Sequence, residues 1–130
     1  MRRVVQLLLL LSIISCLYAC RKDNVTSTNI TGTWELRFAF NGTSSQTYPA
    51  GNGSTYTFTN NTFSQNQGTT VVSQGTYTIK SNAVQINDVS YKELLLNGAS
   101  TGQVIQVQDT TLSLGLEYNG GSGGVYAKIK

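Results

Sequence analysis

The sequence predicts an all-β protein, an antiparallel sandwich or barrel of short strands, preceded by a signal peptide. Three observations carry that prediction. The chain of 130 residues has only 12% Asp, Glu, Lys and Arg, and takes its polarity from 17 Thr, 11 Asn and 13 Gly. Threonine favours strands, while glycine and asparagine favour tight turns. From Gly32 onward apolar residues recur at every second position, the period of a half-buried strand. Turn signals at Asn41-Gly42, Asn60-Asn61, Ser81-Asn82, Asn97-Gly98, Asp109-Thr110 and Asn119-Gly120-Gly121 break these runs at short spacing, the pattern of an antiparallel sandwich or barrel. With 39% apolar residues the chain has enough to bury a core, which argues against disorder over most of its length.

The first element is a leader. Arg2-Arg3 precede an apolar core from Val4 to about Ile14, and small residues follow near a cleavage point, the layout of a secretion signal. Gln6 and Ser12 interrupt a run that is already marginal against the ~20 apolar residues of a spanning helix. Two stretches, Ile13-Ile14-Ser15-Cys16 and Leu17-Tyr18-Ala19-Cys20, resemble the lipobox of bacterial lipoprotein signals. Position favours Cys20, which stands at the apolar-to-polar border directly before Arg21-Lys22-Asp23-Asn24. The resemblance implies a signal peptide over 1–19, acylation of Cys20, and a polar tether over 20–30. A thiolate is a good nucleophile for a diacylglyceryl donor, and each buried CH₂ adds ~0.8 kcal/mol of membrane affinity. The expected partner is therefore a membrane, reached through the acylated cysteine. The expected place is the outer membrane of a gram-negative bacterium, on its periplasmic or surface side. A Cys16–Cys20 disulfide is the competing reading, and cleavage before Cys20 removes it.

The domain proper is expected over 31–130. "TWELRFAF" puts Trp34, Leu36, Phe38 and Phe40 on one face, with Glu35 and Arg37 on the other. "STYTFTN" offers Tyr56 and Phe58 inward, and "TFSQNQ" follows. "VVSQGTYTIK" offers Tyr77 and Ile79, and after Ser81-Asn82 "AVQIND" offers Val84 and Ile86. "SYKELLLNG" reads as a strand ending at Asn97-Gly98, with a short helix as the alternative. "VIQVQD" gives Ile105 with Val107, and "TTLSLGLEY" gives Leu112, Leu114 and Leu116. "GVYAKIK" closes the chain with Val125, Ala127 and Ile129 inward and Tyr126, Lys128 and Lys130 outward. Residues 41–53 form a long connection holding the only proline, Pro49, and read either as a lid or as an excursion of the chain. The glycine-rich 119–124 stretch joins two strands and lacks the helix and lysine of a phosphate loop.

Gly32-Thr33-Trp34 at the start of the first strand, followed by alternating short strands, resembles the lipocalin-like β-barrels of small bacterial lipoproteins. The resemblance implies that Trp34 closes the bottom of the barrel with a basic residue of the last strand, Lys128 or Lys130, lying across it. It also implies a small antiparallel up-and-down β-barrel of about eight short strands, and a carrier of small apolar molecules. The interior is expected to be filled, because a dry cavity costs about 24 cal/mol per Å³. A void of about 300 Å³ would then cost roughly 7 kcal/mol, comparable with the ~5–15 kcal/mol stability of a domain. Any pocket should be shallow, polar at its mouth, and near Tyr48 beneath the 41–53 segment.

The chain has no histidine, which removes the commonest general base and metal ligand. Glu35 and Glu117 fall on outward faces, where pairing with Arg37 or Lys128 is the expected use. We therefore expect no enzyme, no catalytic residue, no metal and no cofactor. Without Arg2 and Arg3, seven basic residues face six acidic ones, so no nucleic-acid partner is expected. The expected function is non-catalytic binding of a small apolar or amphipathic molecule by a monomer, with Trp34, Tyr48, Tyr56 and Phe58 as contacts. The alternative is a structural or protein-contact module with a closed core.

Overall fold

The computed structural model describes residues 29–115 and 121–130. The leader, Cys16, Cys20 and most of the tether lie outside the described residues, as do Leu116, Glu117 and the start of the glycine-rich turn. Nine strands and no helix occur among those described: β1 (Gly32–Asn41), β2 (Ser44–Thr47), β3 (Ser54–Phe58), β4 (Thr62–Gln67), β5 (Thr70–Ile86), β6 (Val89–Leu96), β7 (Gln103–Gln108), β8 (Thr111–Gly115) and β9 (Ser122–Lys128). All pairings are antiparallel, and β1 pairs with β9 to close the ring. The ring contains eight strands, and β2 is an addition. The lower half of β1 pairs with β3 (Trp34↔Tyr56), and the upper half pairs along the same edge with β2 (Ala39↔Gln46).

The core is the inside of the ring. Ile30, Trp34, Tyr56, Phe58, Phe63, Leu94, Ile105, Val107, Leu112 and Leu114 form one buried cluster, with Tyr77, Ile79, Leu96 and Tyr126 packed against it. Aromatic rings fill much of the space. Tyr56 stacks on Phe58 at 5.5 Å between centroids, and Phe58 meets Tyr77 edge-on at 5.2 Å. The lower end is closed: Trp34 Nε1 donates to the Ile30 carbonyl at 2.7 Å, and the Lys128 ammonium lies 5.3 Å from the Trp34 ring centroid. Gly32 is required here. Its φ is +134°, and a Cβ would stand 2.5 Å from the Lys130 carbonyl oxygen, where the chain end crosses.

Four sequence expectations are corrected. On β1 the register with β9 slips by one residue between Leu36 and Phe38. Gly124 faces Leu36 and Tyr126, whereas its neighbour Gly123 faces the Phe40 ring, so Phe40 lies on the opposite face from Leu36. Phe38, 6.3 Å from Phe40, and Phe40 itself both fall outside the core cluster. A bulge of one residue reverses every side chain beyond it. On β9 the phase is the reverse of that expected: Tyr126 packs inward, and Val125 takes the other face. Ser81-Asn82 is not a turn but an irregularity within the 17-residue β5, and the chain reverses at Asn87-Asp88 instead. Residues 41–53 are not a plain loop, since they contain β2. "SYKELLLNG" is a strand, β6.

Candidate functional site

The inner face of the ring continues upward onto the β1–β2 hairpin. Gly124 faces inward with Tyr126; Ala39 pairs with Gly124, and Gln46 pairs with Ala39. Side chains two apart on a strand share a face, so Asn41, Ser44 and Tyr48 belong to this inner surface as well. An open cleft of ≈ 260 Å³ lies at the hairpin, lined by Ala39, Asn41, Ser44, Gln46 and Tyr48 together with Phe40 and Ser45 of the other face. The cleft is at the barrel mouth, the end opposite Trp34. Its polar groups are hydroxyls and amides; charge is absent from the lining.

Tyrosines lead from this cleft to the core. Tyr126 sits below it, 5.5 Å from Tyr56 in an edge-on arrangement. Burial pushes the Tyr126 phenol well above its ordinary range, and the neighbouring phenols of Tyr56 and Tyr48 push it further. Burial raises Tyr56 too. Tyr56 and Tyr126 therefore present neutral hydroxyls across physiological pH.

The chain between β2 and β3 is held as a strap against the outer face of β1. Glu35 is only 4% exposed. Its carboxylate accepts the backbone N–H of Gly51 at 3.0 Å and of Gly53 at 3.2 Å, and it is paired with the Arg37 guanidinium. The Gly51 N–H, the Arg37 bond and the Gly53 N–H together hold the Glu35 carboxyl below its ordinary range, against the opposing effect of burial. Asn52 Nδ2 adds bonds to the Leu36 and Pro49 carbonyls at 2.7 and 2.6 Å, and the Tyr48 N–H donates to the Arg37 carbonyl at 2.8 Å. These bonds fix the backbone that carries Tyr48. The expected pairing of Glu35 with Arg37 is present, but its main work is on the strap.

Of the residues singled out in the sequence, Trp34, Tyr56 and Phe58 come together inside the barrel, at 1%, 9% and 1% exposure. Tyr48 stands apart from them at the cleft. Cys20 lies outside the described residues. Tyr126 was missed, because the apolar residues of "GVYAKIK" fit either phase. Its register opposite Leu36 is what places it. A second, broader depression of ≈ 510 Å³ lies between β3, β4 and β5, with Thr57, Thr62, Ser64, Gln74 and Thr76 in its lining. Among the described residues no three His, Cys, Asp or Glu side chains gather as a metal site requires. Comparison with protein-family models, curated proteins and solved structures finds no match for this chain.

Proposed function

We propose that this chain is a lipid-anchored cell-envelope protein, acylated at Cys20, whose barrel binds a small amphipathic molecule at its mouth without catalysis. The carrying observation is the ≈ 260 Å³ cleft beside Tyr48. A ligand with a short apolar body would rest on the inner face of the hairpin above Tyr126. Its polar end would meet the Asn41, Ser44 and Gln46 side chains at the rim. Discrimination would come from hydrogen bonds to neutral groups, and the packed interior restricts the ligand to the mouth. Two of the described carboxylates are already engaged: Glu35 is committed to the strap, and Glu93 accepts the Gly102 N–H at 2.7 Å.

The acyl group would hold the monomer to the outer membrane of a gram-negative bacterium, facing either the periplasm or the surface. The closed core favours a second reading, a structural or protein-contact module in which the barrel is only a stable body.

Native mass spectrometry of the acylated chain, extracted gently from membranes, tests both parts. A mass increment on the peptide that begins at Cys20 is the expected sign of the anchor. A retained non-protein mass, released by solvent and lost in Tyr48→Ala, is the expected sign of a carrier. A bare chain after repeated exposure to lipids and metabolites would overturn the carrier reading in favour of the module.

A further inference from the structure

The β5–β6 hairpin takes no part in the mouth. β5 pairs with β4 only as far as Thr76, and β6 meets β7 only from Lys92 onward. Residues 84–91 therefore pair with each other alone, as Val84↔Tyr91, Gln85↔Ser90 and Ile86↔Val89. Asn87 and Asp88, with φ of 48° and 63°, make the tight turn at the tip. An isolated two-stranded hairpin is marginally stable in water.

Its two faces differ in chemistry. Cross-strand partners share a face, so Val84, Ile86, Val89 and Tyr91 form one apolar side. Gln85 and Ser90 form the other, with Gln85 Nε2 donating to Ser90 Oγ at 3.3 Å. Val89 is 50% exposed.

Strand direction alternates around the ring, so this tip lies at the end where Ile30 enters and Lys130 leaves. Basic residues gather there: Lys128 and Lys130 at the chain end, Lys80 and Lys92 at the base of the hairpin. Against them stand Asp88, Asp109 and Glu93, the last directly opposite Lys80. Midway along β1, Glu35 and Arg37 pair with each other. Nine residues, ten Cα–Cα steps, separate Cys20 from Ile30. A stretch of that length reaches at most about 35 Å, so an anchored Cys20 keeps Ile30 within that distance of the bilayer.

We propose that the hairpin seats its Val84–Ile86–Val89–Tyr91 face in an anionic lipid surface, with Lys128 and Lys130 at the headgroups. The setting rests on the membrane-anchored reading above. Apolar side chains gain by leaving water, tyrosine suits the interface because one end of its ring is polar, and each lysine near an anionic surface adds attraction.

The test places a reporter tryptophan at the tip, Val89→Trp, with Val72→Trp at the mouth end as a control; Val72 is equally exposed at 52%. The native Trp34 is buried and gives a constant background. Both chains are mixed with vesicles of equal parts phosphatidylglycerol and phosphatidylcholine, with and without brominated acyl chains. The expected result is a blue shift and bromine quenching for Val89→Trp and neither for Val72→Trp. Lys130→Gln should weaken the vesicle affinity about fivefold. Unchanged emission from Val89→Trp, or an equal response from Val72→Trp, overturns the proposal. Repeating the titration with Cys20→Ser separates the two readings. A shift that survives it upholds the hairpin even if Cys20 proves unacylated, and an acylated chain whose tip stays dry upholds the anchor alone.

Discussion

Glu35→Ala should release the strap and leave the barrel standing. The carboxylate accepts two backbone N–H bonds, from Gly51 and Gly53, and holds the Arg37 guanidinium. A hydrogen bond to a charged group contributes ~1.5–3 kcal/mol. The strap lies at the surface, so water can replace the lost acceptor, and the lower figure applies to each N–H. Loss of both then weakens strap closure by about 3 kcal/mol, on the order of a hundredfold in the opening equilibrium. Hydrogen exchange at Gly51 and Gly53 should quicken by that factor. Exchange at core amides of β7 and β8 should change much less, because neither strand touches the strap. The same group carries a pH dependence. Its folded pKa is lowered from 4.5, so its contribution is complete above that value and is lost as pH falls through the lower folded value. Strap exchange in the parent, corrected for intrinsic rates, should therefore rise only below about pH 4.5, and Glu35→Ala should abolish this rise. Unchanged exchange at Gly51 and Gly53 in the variant would refute the strap.

Three further outcomes are expected. Trp34→Ala should lower stability by about 3–5 kcal/mol in urea unfolding, since it empties the core and strands the Ile30 carbonyl. Lys128→Met, which keeps the aliphatic stem, should cost only ~0.5–1 kcal/mol. Gly32→Ala should lower the melting temperature, with a loss of at least ~1–3 kcal/mol from the left-handed backbone and the contact with the Lys130 carbonyl. In base, Tyr56 and Tyr126, raised by burial, should stay neutral until the barrel opens. Stability should fall as pH rises above that of the free phenol, because only the unfolded chain ionises there. Tyrosinate absorbance and circular dichroism, followed together, check the coincidence.

The alternation of apolar residues made most of the barrel legible. Tyr56, Phe58, Ile105, Val107, Leu112 and Leu114 all lie where their period puts them. Features that depend on partner strands were not legible. The reversal of Phe38 and Phe40 comes from a register slip against β9, which leaves no mark in "TWELRFAF" itself. Tyr126 looked outward because Val125 and Ala127 offered an equally good apolar phase, and the pairing of Leu36 with Tyr126 decides between them. Asn82 has φ of 53°, the conformation of a turn residue, yet it sits inside β5. The cleft was anticipated near Tyr48, although the β2 strand that shapes it was not. Its four residues are exposed and without apolar members, so no period announced them.

The ring has one seam. The other neighbours around it are brought together by comparatively short connections, whereas the β1–β9 pairing joins Trp34 to Lys128 across nearly the whole domain. Closing a loop of about ninety residues rather than about ten costs about 2 kcal/mol more in chain entropy. That cost returns only once both strands are in place, so the curled meander from β3 to β8 has reason to assemble first and the seam to close last. The order gives the glycines of β9 a kinetic meaning as well as a steric one. Gly123 and Gly124 leave room for the Phe40 ring and for Leu36 with Tyr126, so the final strand can slide into register without displacing side chains already packed.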